Sequence, residues 1–303
     1  MNKEKILVLI PKGREYYKIK ERGIVTKELY KSVPFFIRII RRFYLKLNIP
    51  FANIWYNDWK KDINKYDLII LFDSVLDIKV IDYIRNKIKE KRFIFWYWNP
   101  VENSINPNLI SENLCEKWSF DLVDCKKYNL RYNKTFYFND YNYKKSNEIY
   151  DVFFVGRDKG RLEYLLKLEK EFNDKNIITY FYIATEEKYS INKKKLKRPT
   201  LSYEDVLDYI SKSKAILEIL QKGQSGASLR TMEAIFYEKK LITNNKNIIN
   251  YDFYCKENIF ILEKDNIEEL PQFLNSSYKK IDEEIIKKYE FENWLKEFER
   301  KNE

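Results

Sequence analysis

The chain has 303 residues, 45% of them hydrophobic, and its 57 Lys and Arg outnumber 46 Asp and Glu for a formal net charge of +11. That length suggests two domains of about 150 residues, with apolar content enough for two cores. The absence of histidine, with only three cysteines, excludes Ser-His-Asp and Cys-His catalysis, histidine metal ligation and a disulfide framework.

A general base in this chain must therefore be Asp, Glu, Lys, Tyr or Cys. The positive excess suits an anionic partner: nucleic acid, anionic lipid or a phosphorylated small molecule. Lysine-rich stretches such as Lys193–Lys197 are equally consistent with a solvated surface in a compositionally biased chain. Cys115, Cys125 and Cys255 form no CxxC pair, which fits a reducing cytosol and argues against zinc. The opening "MNKEKILVLIPKG" has too short an apolar core for a signal peptide. No stretch approaches the ~20 apolar residues of a membrane span, so a soluble or peripheral cytoplasmic protein is expected.

In chain order, "KILVLI" is a short continuous apolar run, the pattern of a strand buried on both faces, and it ends at Pro11-Lys12-Gly13. "SVPFFIRIIRRFYLKLN" follows, with Phe36, Ile39, Ile40, Phe43 and Leu47 at helical spacing. Arg38, Arg41, Arg42 and Lys46 lie on another side, with no acid between. Such a helix can rest on an anionic membrane, or it can pack its apolar side into a core and leave its arginines solvated. "YDLIILFD" ends a second strand at Asp73, "IKVIDYIRNKIKEK" reads as a helix, and "RFIFWYW" is a third strand ending at Asn99-Pro100. "SFDLVDC" and "KTFYFND" read as two further strands, and the polar stretch 140–149 as a linker.

The pattern then restarts. "YDVFFVG" is a strand, "GRLEYLLKLEKEF" a helix, "NIITYFYIA" a strand, and "SYEDVLDYISKS" a helix with Ser202 as N-cap. "AILEIL", "KLITN" and "NIFIL" are strands, and "DEEIIKKYEFENWLKEFER" is a long helical tail. Strands alternating with helices predict an α/β protein of two doubly wound Rossmann-like domains facing a cleft, with a C-terminal helix able to cross back to the first domain. The expected domains are residues 1–145 and 150–303. Ligands in such sheets bind beyond the carboxyl ends of strands.

The run "QKGQSGASLRTMEAIFYEKKLITNN", Gln221 to Asn245, holds two of the chain's six glycines. Glycine permits positive φ and close approach of a ligand. A helix starting near Ala227 or Ser228 would expose free N–H groups at its positive end, an anion site by construction. The dipole supplies only ~1 kcal/mol, so cations are needed; Arg230 lies in the first turn, and "VGRDKGR" supplies Arg157, Lys159 and Arg161 after another strand. Arg230 and Glu233 could alternatively be a simple helical ion pair.

"GQSGASLRTMEAIFYEKKLIT" resembles the donor-binding signature of GT-B glycosyltransferases, with the group 1-like pattern. Within them it is similar to bacterial lipopolysaccharide and surface-polysaccharide biosynthesis proteins related to the CgeB-like group. "DVFFVGRDKGR" and "YEDVLDYISKSKAILEI" resemble neighbouring parts of the same domain, so the likeness covers about residues 150–260. It implies that Glu233 bonds the ribose hydroxyls of a nucleotide sugar. Gly226, Ala227 and Ser228 would present amides to its diphosphate, beside Gly156, Gln224 and Ser225. Arg157 and Lys159, with Arg230, would stabilise the departing nucleoside diphosphate. The chain has no Asp-x-Asp pair, so no metal and no separate cofactor are expected. The chain departs from the pattern at Ser225, where a second Glu is usual, and at Glu238 and Lys240, where Gly and Pro are common.

The resemblance makes residues 1–145 the acceptor side and 150–303 the donor side, with a glycan or lipid-linked acceptor on the inner face of the plasma membrane. Asp73 is the best-placed carboxylate base, although a strand-end Asp often caps a helix instead. Lys12 and Asn99, at matching strand ends, could orient the acceptor. Of the aromatics in "FWYWNP", two are expected in the core, and those near Asn99 could stack on a sugar. Two other readings stand beside transfer. One is a nucleotide-sugar enzyme of epimerase type. The other is a basic nucleic-acid-binding protein, disfavoured because the 25 Tyr sit mainly in strand-like runs and no nucleic-acid motif is present.

Overall fold

The computed structural model describes residues 2–47, 49–75, 77–184 and 200–299; the Lys193–Lys197 cluster lies outside them. Two compact units divide the chain, Met1–Asn133 and Lys134–Glu303. Each is built on a parallel sheet, so the protein is α/β. The strands are Ile6–Leu9 (β1), Val25–Lys27 (β2), Leu68–Phe72 (β3), Arg92–Tyr97 (β4), Glu116–Ser119 (β5) and Arg131–Tyr132 (β6) in the first unit. Tyr150–Arg157 (β7), Thr179–Ala184 (β8), Ser213–Glu218 (β9), Lys240–Thr243 (β10) and Ile259–Ile261 (β11) make the second.

The apolar runs became central strands for the expected reason. A parallel sheet is covered by helices on both faces, so its strands alternate in direction of side chain but not in polarity. β1 and β3 are buried at every residue, and β4 at all but Arg92. The helices are Arg14–Glu21 (α1), Phe35–Lys46 (α2), Trp59–Asp62 (α3), Lys79–Ile88 (α4), Leu122–Tyr128 (α5), Leu162–Asp174 (α6), Tyr203–Ser211 (α7), Leu229–Phe236 (α8), Leu270–Asn275 (α9), Glu283–Lys287 (α10) and Phe291–Glu297 (α11). Ser202 caps α7 in a capping box with Asp205, as its sequence position suggests.

The strand orders are β2-β1-β3-β4-β5-β6 and β11-β10-β9-β7-β8. In each sheet the first strand lies between the second and third. The chain thus winds to one side and then to the other, leaving a crevice at the carboxyl ends of β1 and β3, and another at those of β7 and β9. Neither order could be read from the sequence, because register and neighbour choice depend on contacts between distant segments.

Several sequence expectations need correction. "SFDLVDC" is not a strand: Asp121 accepts from the amides of Val123 (2.9 Å) and Asp124 (3.4 Å) and so starts α5. "KTFYFND" belongs to the second unit rather than to the first sheet. There Tyr137 exchanges backbone bonds with Tyr289 (2.8 Å) and Phe291 (3.0 Å), and the Phe136 and Trp294 rings lie 4.5 Å apart. The boundary between units therefore falls before the expected linker. The long tail is two short helices, α10 and α11, interrupted where Tyr289 joins this pairing. In "FWYWNP" three residues, Phe95, Trp96 and Tyr97, are fully buried, so the core takes one aromatic more than expected.

α2 corrects the core-packing alternative. Its apolar side faces outward: Phe36 is 78%, Phe43 61% and Leu47 69% exposed. Only Leu45 of the helix is buried, on the side that carries the arginines. Tyr44 packs edge-on against Trp55 at 5.7 Å and ties the helix down. No helix among the described residues is long and apolar enough to cross a membrane.

Candidate functional site

In the second unit the loops after β7 and β9 meet at the switch point. Two side-chain links hold them together. The Arg161 guanidinium donates to the Ile219 carbonyl, and Lys159 Nζ donates to Gln221 Oε1 at 3.0 Å. Arg161 also bonds the carbonyls of Arg157 (2.9 Å) and Asp158 (3.3 Å). It is therefore a clip within the protein and not a free cation for a ligand. Gly156 is placed by this packing: a Cβ there would meet the Phe154 ring at 3.2 Å and Arg161 Nη2 at 3.6 Å. Asp158 is buried and caps the start of α6, accepting from the Leu162 amide at 2.8 Å. Arg157 and Lys159 stay exposed.

The β9 loop carries the sequence motif. Gly223 takes a φ of 79°, a left-handed conformation that favours glycine. Gln224 Nε2 donates to the Gly226 carbonyl at 3.3 Å, and Ser225 is half-buried beside it. Ser228 is the N-cap of α8 and accepts from the Arg230 amide at 3.0 Å. The helix thus starts where the spacing predicts. The Ala227 amide donates to the Tyr251 hydroxyl at 2.9 Å. This corrects the expectation that Ala227 presents its N–H to an anion: the donor is already in use.

Sequence reasoning missed the residue that fixes this geometry. Glu218 ends β9 and is buried. Its Oε1 accepts from Ser228 Oγ at 2.5 Å and Thr231 Oγ1 at 2.6 Å, and its Oε2 from Thr243 Oγ1 at 2.5 Å. One carboxylate therefore joins the end of β9, the cap and first turn of α8, and the end of β10. The signal was present in "AILEIL": a charged residue inside a buried apolar run must be met by donors.

Glu233 is completely buried and paired with Arg230, three residues earlier on α8. The Tyr137 hydroxyl lies near it, bonded to those of Tyr203 and Tyr237. Burial, reinforced by the Glu233 charge, pushes the Tyr137 phenol well above its ordinary range. The structure thus brings Gly156, Arg157, Lys159 and residues 224–230 to one switch point and sets Glu233 behind Arg230.

In the first unit Asp73 follows β3 and is buried. It does not cap a helix. Asn99, at the end of β4, donates to it from its amide (3.0 Å) and its side chain (3.1 Å). Burial outweighs these bonds and pushes the carboxyl from an ordinary value of 3.8 up to about 6. Lys12 is exposed in the loop after β1, its ammonium 5.9 Å from the Tyr17 ring centre. Among the described residues no group of three or more Cys, Asp or Glu could hold a metal ion.

No protein-family model matches the chain, and no curated protein matches it. Solved structures do. A protein assigned as a UDP-N-acetylglucosamine 2-epimerase from Listeria monocytogenes is 9% identical, with 99% of this chain and 98% of that one covered and a TM-score of 0.47. The spinosyn forosaminyltransferase SpnP is 9% identical over 97% of this chain and 90% of its own, with a TM-score of 0.47. A GtfA/B complex bound to UDP and GlcNAc is 11% identical over 84% and 56%, with a TM-score of 0.28.

Replacing Glu218 by Gln leaves buried hydroxyls facing an amide, and should lower unfolding stability by about 3 kcal/mol. The midpoint of urea unfolding checks this; a loss below ~0.5 kcal/mol would mean that the hydroxyls re-pair without the charge. For Asp73, the folded state holds its proton more tightly than the unfolded chain. Its contribution is therefore complete below about pH 4 and is lost as pH rises through about 6. Asp73→Asn should gain on wild type by up to about 3 kcal/mol between pH 4 and pH 7. Parallel stability curves for the two proteins would contradict the raised carboxyl.

Proposed function

We propose that the chain is a metal-independent glycosyltransferase. It moves a sugar from a nucleotide-sugar donor, held at the carboxyl ends of β7 and β9, to a glycan or lipid-linked acceptor held by the first unit. The setting is bacterial lipopolysaccharide or surface-polysaccharide synthesis at the inner face of the plasma membrane. The observation that carries the reading is the junction at the switch point of the second unit. Two exposed cations, Arg157 and Lys159, stand on one loop, and the other loop runs into the N-terminus of α8.

The chemistry follows from charge. Sugar transfer leaves a nucleoside diphosphate, whose negative charge grows in the transition state. Fixed donors and cations aimed at that charge lower the barrier more than they aid ground-state binding. Arg157 and Lys159 serve as the cations, with the Ser228 amide at the helix start as a backbone donor. The loop at Gly156, Gln224, Ser225 and Gly226 lets the diphosphate approach. Arg230 turns from Glu233 to the diphosphate when donor binds, and Glu233 then accepts the ribose hydroxyls. Asp73 takes the proton of the acceptor hydroxyl as its oxygen attacks the anomeric carbon. A carboxyl near 6 is ionised at neutral pH yet more basic than an ordinary Asp, which suits a general base.

Titration calorimetry with UDP, GDP and CDP should reveal at least one binder, weakened roughly tenfold or more by Glu233→Ala. If none binds near millimolar concentration, the donor site is not there. With a panel of nucleotide sugars, product analysis should show transfer or slow donor hydrolysis that persists in EDTA. A donor returned as its epimer would replace transfer by the epimerase reading, and abolition by EDTA would overturn the metal-free mechanism.

A further inference from the structure

The switch point of the first unit holds a second site. A pocket of about 460 Å³ opens there, bounded by Pro11 after β1, Ser74 after β3, Tyr30 and Lys31 after β2, and Arg38 and Arg41 of α2. That volume is within the range of small-molecule sites. Its lining is cationic on balance: Lys31, Arg38 and Arg41 face a single carboxylate, Glu28, and none of the three cations makes an ion pair among the described residues. Arg41 donates one Nη1 bond to the Lys31 carbonyl at 2.7 Å, while its Nε is buried with no hydrogen-bond partner. Burial is the main reason that Arg41 holds its proton less tightly than usual; the Arg38 charge adds to this, while Tyr30 and Glu28 oppose it. A buried N–H donor with no partner is costly until an acceptor such as a phosphate oxygen meets it.

The helix that supplies both arginines presents the opposite face to solvent, with Phe36, Ile40, Phe43 and Leu47 exposed. An ordinary surface helix does the reverse. A helix lying in a membrane interface sinks its apolar face about 5–10 Å into the boundary of headgroups and acyl chains. Its other face, one helix diameter of ~10 Å away, is then at headgroup depth. In α2 that other face is the wall of the cationic pocket.

We propose that this pocket binds the terminal phosphate of an anionic lipid, with Arg38, Arg41 and Lys31 holding the phosphate and the apolar face of α2 lying in the membrane beside the lipid chain. As the acceptor's anchoring site, this rests on the lipid-linked-acceptor reading above. Asp73 sits in sequence between Phe72 and Ser74, both lining residues, so a lipid held here is beside the candidate base. The binding itself needs no donor and is tested without one.

The test is vesicle flotation of the full chain. Three vesicle types are compared: phosphatidylcholine alone, and the same with about one fifth phosphatidylglycerol or phosphatidic acid. Phosphatidic acid, with its terminal phosphate, should bind at least roughly tenfold more tightly than phosphatidylcholine and more tightly than phosphatidylglycerol. Arg38→Gln, which removes no hydrogen bond, and Arg38→Gln/Arg41→Gln should each abolish the preference for the terminal phosphate. The control Lys126→Gln/Lys127→Gln, which removes two exposed cations elsewhere in the same unit, should keep it. Phe43→Ser should weaken binding to all three vesicle types. Equal binding to phosphatidic acid and phosphatidylglycerol, or equal loss in the lysine control, would reduce the effect to general surface charge and overturn the pocket. Binding of soluble glycerol 3-phosphate as tight as that of phosphatidic acid vesicles would overturn the lipid assignment. A failed nucleotide titration alongside a retained phosphatidic acid preference would sink the donor reading and leave this one standing.

Discussion

The second unit depends on a single buried carboxylate. Glu218 sits where β9 gives way to the glycine-bearing loop, and its two oxygens receive hydroxyls from Ser228, Thr231 and Thr243. A charge taken out of water is tolerated only when its lone pairs are met. Here the donors come from a helix cap, a first helical turn and the next strand. The same bonds that satisfy the charge therefore fix the start of α8 relative to the sheet. An anion-binding helix terminus is useful only if its position is held, and this network holds it. The Arg161 guanidinium does comparable work across the crevice, bonding carbonyls of both loops.

The two units use one plan and give it different contents. Both sheets place their first strand between the second and third, so both have a crevice at the carboxyl ends. In the second unit that crevice is lined by backbone turns, a helix terminus and exposed cations. In the first it is a pocket walled by an arginine-bearing helix, next to a buried Asp pushed up to about 6. The proposed division into donor and acceptor sides follows from that contrast. One crevice offers a helix terminus and exposed cations for an extended diphosphate, and the other offers a compact group of cations and a base.

Much of the frame was legible in the residues. "KILVLI", "YDLIILFD" and "RFIFWYW" are strands because continuous apolar runs have no other place in a small α/β domain. Ser202 and Ser228 cap helices because a hydroxyl before an amphipathic stripe satisfies amides that the helix cannot. "SFDLVDC" misled because Asp121 acts through local bonds to two amides, and this outweighed the strand-like composition. "KTFYFND" misled because its partners, Tyr289 and Phe291, lie about 150 residues away in sequence, where no local pattern can point to them.

By itself the sequence determined the class of fold, the alternation of strand and helix, the lack of histidine chemistry, and the position of the glycine-bearing turn before α8. These follow from composition and short-range periodicity. Tertiary structure alone decided the strand orders, the outward turn of the α2 apolar face, the capture of the Ala227 amide by Tyr251, and the burial of Glu233 behind Arg230. Each depends on which distant side chain arrives at a given place. The physical reason is the same throughout: periodicity shows that a residue has a side to bury, and only packing shows what it is buried against.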